Sequence, residues 1–321
     1  MNPKLSVLTA ARRGWFTRTD AMDAGYSDSE LRRRLRAGHW TRLSRDAYAE
    51  PAGWPTGEPP WDRARRLHLL RTRAVVERMG GAAVVSHQSA AVLHGLPSWG
   101  LDLTKVHVTK PSGRQRSEAI AEVHRSRFEP GEITMVDGLQ VVTAARAITE
   151  TTCVSSYEVG IVLGDAALHQ QLVTTEALVT MANRHKYWSG APAACAAARF
   201  ADGLSESVGE SRLRVLMANH GLPAPRLQAE IHDATGRLVG RVDFLVGARL
   251  IVEFDGAEKY GETADAMLAE KWREDRLRAC GYGVVRMSWG DLDQPKATAD
   301  RIRWALGHLP GLGPADRIRW P

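Results

Sequence analysis

The chain has 321 residues, 43 Lys and Arg against 37 Asp and Glu, a formal net charge of +6, and 44% hydrophobic and 25% charged residues. At roughly 150 residues per domain, that is enough chain for two or more domains with buried cores, and the composition excludes wholesale disorder, collagen-like repetition and a coiled-coil rod. Cys153, Cys195 and Cys280 are odd in number and far apart, which argues against a disulfide framework or a cysteine-rich zinc site and for a reducing, cytoplasmic compartment. No signal-peptide core opens the sequence, and no apolar run approaches the ~20 residues of a membrane span, so no membrane partner is expected.

The excess charge is local. Residues 1–75 hold 15 basic and 8 acidic residues, a net of +7, and the other 246 residues a net of −1. A bias of 36 Arg to 7 Lys has a bland source in G- and C-rich codons, but that bias does not place the charge at one end. The asymmetry points to a polyanion partner, most often nucleic acid.

Residues 3–50 read as short helices followed by a hairpin. An apolar stretch through Leu5, Val7 and Leu8 ends near Gly14, and Thr19 is placed to cap a short helix closed by Gly25. Ser27-Asp28-Ser29-Glu30 is a capping-box sequence. The helix it starts turns Leu31 and Leu35 inward, leaves Arg32, Arg33 and Arg36 outside, and stops at Gly38. HWTRLSRDAYAE reads as a two-stranded wing carrying Arg42 and Arg45, with its turn near Ser44-Arg45-Asp46. Residues 1–55 therefore read as a winged helix-turn-helix, a module that lays its second helix in the major groove and uses arginines on phosphates and base edges. The alternative is a solvated basic helix used for protein contacts. GWFTRTDAMDAGYSDSELRRRLRAGHWTRLSRDAYAEP resembles the N-terminal winged helix of AbiEi-type antitoxins, the DNA-binding half of type IV toxin–antitoxin systems. The resemblance implies DNA as a partner, and a protein toxin or a second copy of the chain as another.

The Pro- and Gly-rich EPAGWPTGEPP (50–60) separates that module from an α+β stretch expected over 61–203. Helices are expected over 61–79 and from Ser86 onward, strands at KVHVTKP, AEVHRS and EITMVDGLQVV with a hairpin turn at Asp137-Gly138, and helices from there to 201. SHQSAAVLHGLP resembles the segment that follows the winged helix in the same antitoxin-like proteins. His87, His94 and His107 lack a tight ligand spacing and read as packing or hydrogen-bonding residues. No nucleotide-binding, serine-hydrolase or zincin motif occurs.

Residues 204–321 carry the chemistry. Over 205–293 the order is helix, three-strand meander (RLQAEIHD, RLVGRVDFLV, RLIVEFDG), helix (about 264–280) and strand (YGVVRMS), an α/β core of the restriction-endonuclease type. Asp243 interrupts a buried-looking run, and Glu253 and Asp255 share one face of an Ile/Val/Phe strand, roughly 7 Å apart. If the two strands form a hairpin closed by the three residues Gly247–Arg249, 246 pairs with 250 and Asp243 stands opposite Glu253, with Cβ atoms ~5 Å apart; a two-residue loop puts the two carboxylates on opposite faces. Two like charges at that separation repel, and a divalent cation turns the repulsion into ligation. An oxygen-only donor set favours Mg²⁺ or Mn²⁺. The alternative is a pair of surface strand residues, with Asp255 paired to Arg241.

Asp243 followed by Glu253-x-Asp255 resembles the PD-(D/E)XK nuclease motif. ESRLRVLMANHGLP, VDFL, IVEFDG and GYGVVRMSWGDL resemble a family related to very-short-patch repair endonucleases. The resemblance implies metal binding by Asp243, Glu253 and Asp255, an assisting role for Glu210, and phosphodiester hydrolysis on DNA, in phage defence or repair. Ser207-Val208-Gly209-Glu210 is equally a capping box, so Glu210 has a structural reading beside the catalytic one. Asp255 stands where most such nucleases have lysine, and Lys259 and Lys271 are the nearest replacements; Lys271 and Arg273 on the 264–280 helix are further candidates for phosphate contact. The rival reading is a non-enzymatic, antitoxin-like transcriptional regulator with a degenerate nuclease fold.

Overall fold

In the computed structural model, which describes residues 1–81, 83–256 and 264–309 (side chains of 264–267 excepted), Asn2 accepts the Leu5 amide at 2.9 Å and starts α1 (Pro3–Ala11). After β1 (Phe16–Thr17), Thr17 and Asp20 form a complete capping box for α2 (Arg18–Asp23), so the cap is Thr17 and not the expected Thr19. Gly25, at φ +90°, follows the end of α2. For α3 (Asp28–Arg36), Ser27 Oγ accepts the Glu30 amide at 3.2 Å, but the Glu30 carboxylate turns to Arg33 and Arg34, and the expected box is only half formed. The wing is β2 (Thr41–Ser44) and β3 (Ala47–Ala49), turning at Arg45 and Asp46, and β1 adds a third strand beyond the expected two. Two residues are too few to show a strand alternation in sequence. Buried Trp40 holds the module together, edge-on to Phe16 at 4.8 Å and to Tyr26 at 5.1 Å. This arrangement of helices and hairpin is compatible with a winged helix-turn-helix.

Past this module come α4 (Pro60–Arg78), β4 (Val84–Val85), α5 (His87–Leu93), β5 (Val106–Lys110), β6 (Arg116–Ser117), β7 (Ala121–Arg125), β8 (Ile133–Val136) and β9 (Leu139–Val142). The strands form a six-stranded mixed sheet of order β6-β7-β5-β4-β9-β8, with β5 parallel to β7 and β4 parallel to β9. Asp137 and Gly138, both at positive φ, make the β8–β9 turn as their sequence predicts. Val75, Val85, Val106, Val108, Val123 and Val141 fill the core between this sheet and its helices. Helices α6 (Ala144–Val154), α7 (Tyr157–His169), α8 (Thr175–Arg184) and α9 (Ala191–Phe200) follow. The chain forms two units, Met1–Leu163 with Val173–Arg199, and Gly164–Leu172 with Phe200 onward.

The second unit contains α10 (Val208–Asn219), β10 (Arg226–His232), β11 (Leu238–Val246), β12 (Leu250–Phe254), α11 (Ala264–Ala279), β13 (Gly283–Met287), α12 (Trp289–Leu292) and α13 (Pro295–Gly307). Its sheet runs β10-β11-β12-β13, the first three antiparallel and the last parallel to β12. Buried Phe244, Val246, Leu250 and Val252 pack with Leu213 and Met217 of α10, while Leu245 and Ile251 pack with Leu277 of α11. This element order is the one read from the sequence, but a fold carries no chemistry by itself; the side chains at the site decide that.

Both units bury ion pairs. In the first, the fully buried Arg146 binds Glu150 at 2.8 Å, Glu132, and Ser126 Oγ at 2.9 Å. In the second, buried Arg214 makes a two-pronged bond to Asp165, at 2.7 and 2.8 Å, and donates to the Phe200 carbonyl. Removing one partner of such a pair strands the other charge in a poorly polarisable interior, at a cost of about 3–5 kcal/mol. Arg146→Met should therefore lower the stability of the first unit by that amount in urea unfolding followed by circular dichroism. A loss under about 1 kcal/mol would show that the network contributes little.

Candidate functional site

Two surfaces gather the residues singled out in the sequence. On the N-terminal module Arg32, Arg33, Arg36, Arg42 and Arg45 are all exposed, as expected. Arg33 sits 3.5 Å from Glu30 and Arg45 4.0 Å from Asp46, while Arg32, Arg36 and Arg42 form no ion pair among the described residues. Arg34 differs from its neighbours: it lies over the Tyr26 and Trp40 rings, at 5.0 and 5.2 Å, and belongs to the fold of the module. The exposed positive charge follows from the helix period. Leu31 is buried against the module, and Arg32, Arg33 and Arg36 fall on the other faces of α3.

The second surface lies at one end of the β11–β12 hairpin. The register is Val246↔Leu250, Leu245↔Ile251 and Phe244↔Val252, so the connection is the three residues Gly247–Arg249, and Asp243 and Glu253 flank the last of these pairs. Asp243 Oδ2 accepts the Phe254 amide at 2.8 Å, just beyond the last paired residues. Glu253 is buried and Asp243 and Asp255 half-buried. The end of β12 is set against α10 by Phe254, whose ring packs where Gly209 has no side chain; a Cβ there would stand 1.9 Å from the ring.

The charges around the hairpin differ from expectation. Arg273, read from sequence as a phosphate contact, points inward and bonds Glu253 Oε1 and Glu270, each at 2.7 Å. Arg286 of β13 lies beside Glu253 in the parallel register. Its guanidinium is 3.6 Å from Glu253 Oε2, 3.0 Å from Glu274 and 3.4 Å from Asp255. Arg241 does not reach Asp255; it binds Glu206 at 2.7 and 3.0 Å. Glu210 forms half of the expected box: its amide donates to Ser207 Oγ, but its carboxylate accepts from the Glu206 amide and from Gln228 Nε2, each at 3.0 Å. Lys271 is exposed, and Lys259 lies outside the described residues. From the sequence, Glu270 and Glu274 read as part of a solvated mixed-charge helix face, and Arg286 is not singled out. Arg286 was within reach of that reading, because an arginine inside GVVRM is the same anomaly that singled out Glu253.

Oxygen donors on one hairpin suit a hard divalent cation in type. The arrangement, however, is an ion-paired cluster in which both Glu253 oxygens and the Asp255 carboxylate face arginine, and a cation there competes with Arg273 and Arg286. Burial pushes the Asp243 carboxyl up to about 6, against the pull of the Phe254 amide, and nearby Glu210 adds to the rise. Burial also raises Glu253, with Arg273 and Arg286 opposing it, whereas hydrogen bonds from Arg273 hold Glu270 down at about 2.

The histidines regroup. His94 Nε2 contacts the Val142 carbonyl at 2.7 Å, apart from the others, while His87 and His107 meet His124. No helix among the described residues is long and apolar enough to cross a membrane. Cys153, Cys195 and Cys280 are free thiols.

A raised carboxyl makes a signed prediction. The folded state holds the Asp243 proton up to about pH 6, whereas the unfolded chain releases it near 3.8, so ionisation costs stability as pH rises through that window. Asp243→Asn keeps an acceptor for Phe254 and removes the charge. It should stabilise the protein by about 1–2 kcal/mol at pH 8, allowing for partial exposure, and by nothing below pH 4 in urea unfolding. Destabilisation at pH 8 would contradict this.

Residues 7–51 match the family described as transcriptional regulator, AbiEi antitoxin. Uncharacterized protein MT2308 of Mycobacterium tuberculosis (strain CDC 1551 / Oshkosh) is 30% identical over 241 residues, covering 73% of this chain and 85% of the relative. Uncharacterized protein Rv2248 of strain ATCC 25618 / H37Rv matches with the same identity and coverage. The crystal structure of RV2827C protein from Mycobacterium tuberculosis is similar over 65% of this chain and 78% of that one, with 13% identity and a TM-score of 0.40, too slight a likeness to bear on function. The chain thus carries an AbiEi-antitoxin regulator domain at its N-terminus and belongs to the same family as the MT2308 and Rv2248 proteins of Mycobacterium tuberculosis.

Proposed function

We propose that the chain is a DNA-binding transcriptional regulator of the AbiEi-antitoxin kind. The observation that carries this reading is the exposed arginine row of α3 and the wing, lying within the residues that match the regulator family. Arg32, Arg33 and Arg36 enter the major groove with α3, and Arg42 and Arg45 meet the phosphates beside it. A protein toxin or a second copy of the chain is the protein partner, as the antitoxin likeness suggests. The +7 of the first 75 residues supplies affinity without sequence preference, and the contacts of α3 to base edges supply the preference.

One observation favours a second reading, metal-assisted phosphodiester hydrolysis: Asp243 and Glu253 flank the last β11–β12 pair, close enough that, beyond burial, the Asp243 charge raises the Glu253 carboxyl. Against it stand the two arginines already on Glu253 and the carboxylate Asp255 where lysine is usual. If Mg²⁺ or Mn²⁺ did bind, Asp243, Glu253 and Asp255 would hold it, and it would supply Lewis-acid activation of water. In the regulator reading these carboxylates are part of the fold.

DNA binding and nicking separate the two. Fluorescence anisotropy on duplex DNA should show that replacing Arg32, Arg33 and Arg36 together by alanine weakens binding at least tenfold and lowers the salt-dependence slope by about 2–3. An unchanged slope would remove α3 from the interface. Plasmid incubated with the wild type in Mg²⁺ or Mn²⁺ should stay intact. Metal-dependent nicking that Asp243→Ala and Glu253→Ala each abolish would establish the second reading instead.

A further inference from the structure

In the first unit, three histidines from separate elements converge. His87 opens α5, His107 lies on β5 and His124 on β7. The β5–β7 register pairs His107 with Glu122 and Thr109 with His124, so the two histidines sit on the same face of the sheet, one step apart along it. One ring nitrogen from each residue lies within 4.8 Å of the other two. We propose that His87, His107 and His124 form a binding site for a divalent transition metal of the zinc class, with solvent completing its coordination.

Three imidazoles with no carboxylate or thiolate among them are a borderline-soft donor set, suited to Zn²⁺, Co²⁺, Ni²⁺ or Cu²⁺ rather than Mg²⁺. Three protein ligands leave a further position open, as in zinc sites that handle a small molecule or water. Burial lowers the proton affinity of all three rings, which favours the neutral form that ligates. The surroundings supply the outer contacts of such a site. His87 Nδ1 faces Ser86 Oγ at 3.0 Å and Glu150 Oε2 at 3.4 Å, so a hydroxyl and a buried carboxylate orient the ring, and Nε2 is left to ligate. Glu150 also accepts the His87 amide at 3.1 Å, which fixes the residue in its left-handed conformation at φ +51°. Gln88 Nε2 lies 2.9 Å from His107 Nε2, and the buried Gln88 Oε1 has no hydrogen-bond partner. A turn of this amide, at the loss of its bond to the Asp102 carbonyl, places Oε1 against a His107 Nε2–H and leaves Nδ1 to the metal.

Ligation requires movement of the rings. His107 Nδ1 and His124 Nε2 share a proton at 2.9 Å, and the His87 and His124 rings are stacked at 3.7 Å, 17° from parallel. Two stacked rings cannot aim both lone pairs at one ion, so binding opens the stack by side-chain rotation about χ2 and displaces the shared proton.

The test is cobalt uptake by the full chain after dialysis against EDTA. The wild type should take up one Co²⁺, with the visible absorption of four- or five-coordinate cobalt, and Zn²⁺ should displace it and raise the thermal midpoint. His107→Ala and His124→Ala should each weaken uptake at least tenfold, while His39→Ala, at an exposed histidine of the same unit, should not. A wild type that takes up no cobalt overturns the proposal, as does unchanged uptake by either variant with wild-type circular dichroism. Absence of uptake by the wild type overturns the proposal even if a variant fails to fold.

Discussion

A charge carried into a protein interior must bring its counter-charge, and much of this chain is arranged around that requirement. Glu253 lies on a buried strand because Arg273 of α11 and Arg286 of β13 meet its two oxygens. Arg146 and Arg214 do the same for Glu132, Glu150 and Asp165. Each pair ties elements distant in sequence: Arg214 of α10 to Asp165 of α7, Arg273 of α11 to Glu253 of β12. Such pairs cost desolvation and return it only when both partners are present, so they act more as a specification of one packing than as a source of stability.

The same rule separates the two candidate surfaces. In the second unit the arginines near the carboxylates are spent on them, and little of their charge is left for a phosphate. On α3 and the wing, exposed arginines stand largely without such partners, and they lie within the first 75 residues, which hold a net +7. Uncompensated charge in water is inexpensive to maintain and is available to a polyanion. The regulator reading follows from this contrast together with the family match of residues 7–51.

Local periodicity carried the sequence reading furthest. The hairpin turn at Asp137-Gly138 and the outward arginines of α3 rest on short-range rules that the fold obeys. Partner choice was not legible. Nothing in the order of residues says that Arg241 selects Glu206, that Arg273 turns to Glu253, or that Glu210 reaches past Ser207 to the Glu206 amide. These depend on how α10 and α11 lie on the sheet. The histidine cluster was illegible for the same reason. His87, His107 and His124 meet only because β5 and β7 pair in parallel and α5 starts beside them, while His94, close to His87 in sequence, points elsewhere.

The two surfaces differ most directly in which of them meets DNA. Amide hydrogen exchange of the full chain, with and without duplex DNA, reads this directly. Protection on binding is predicted over residues 27–49, the helix α3 and the wing, with 238–254 and 283–287 unchanged. Protection of the carboxylate strands with none over 27–49 would contradict it and return the chemistry to the second unit.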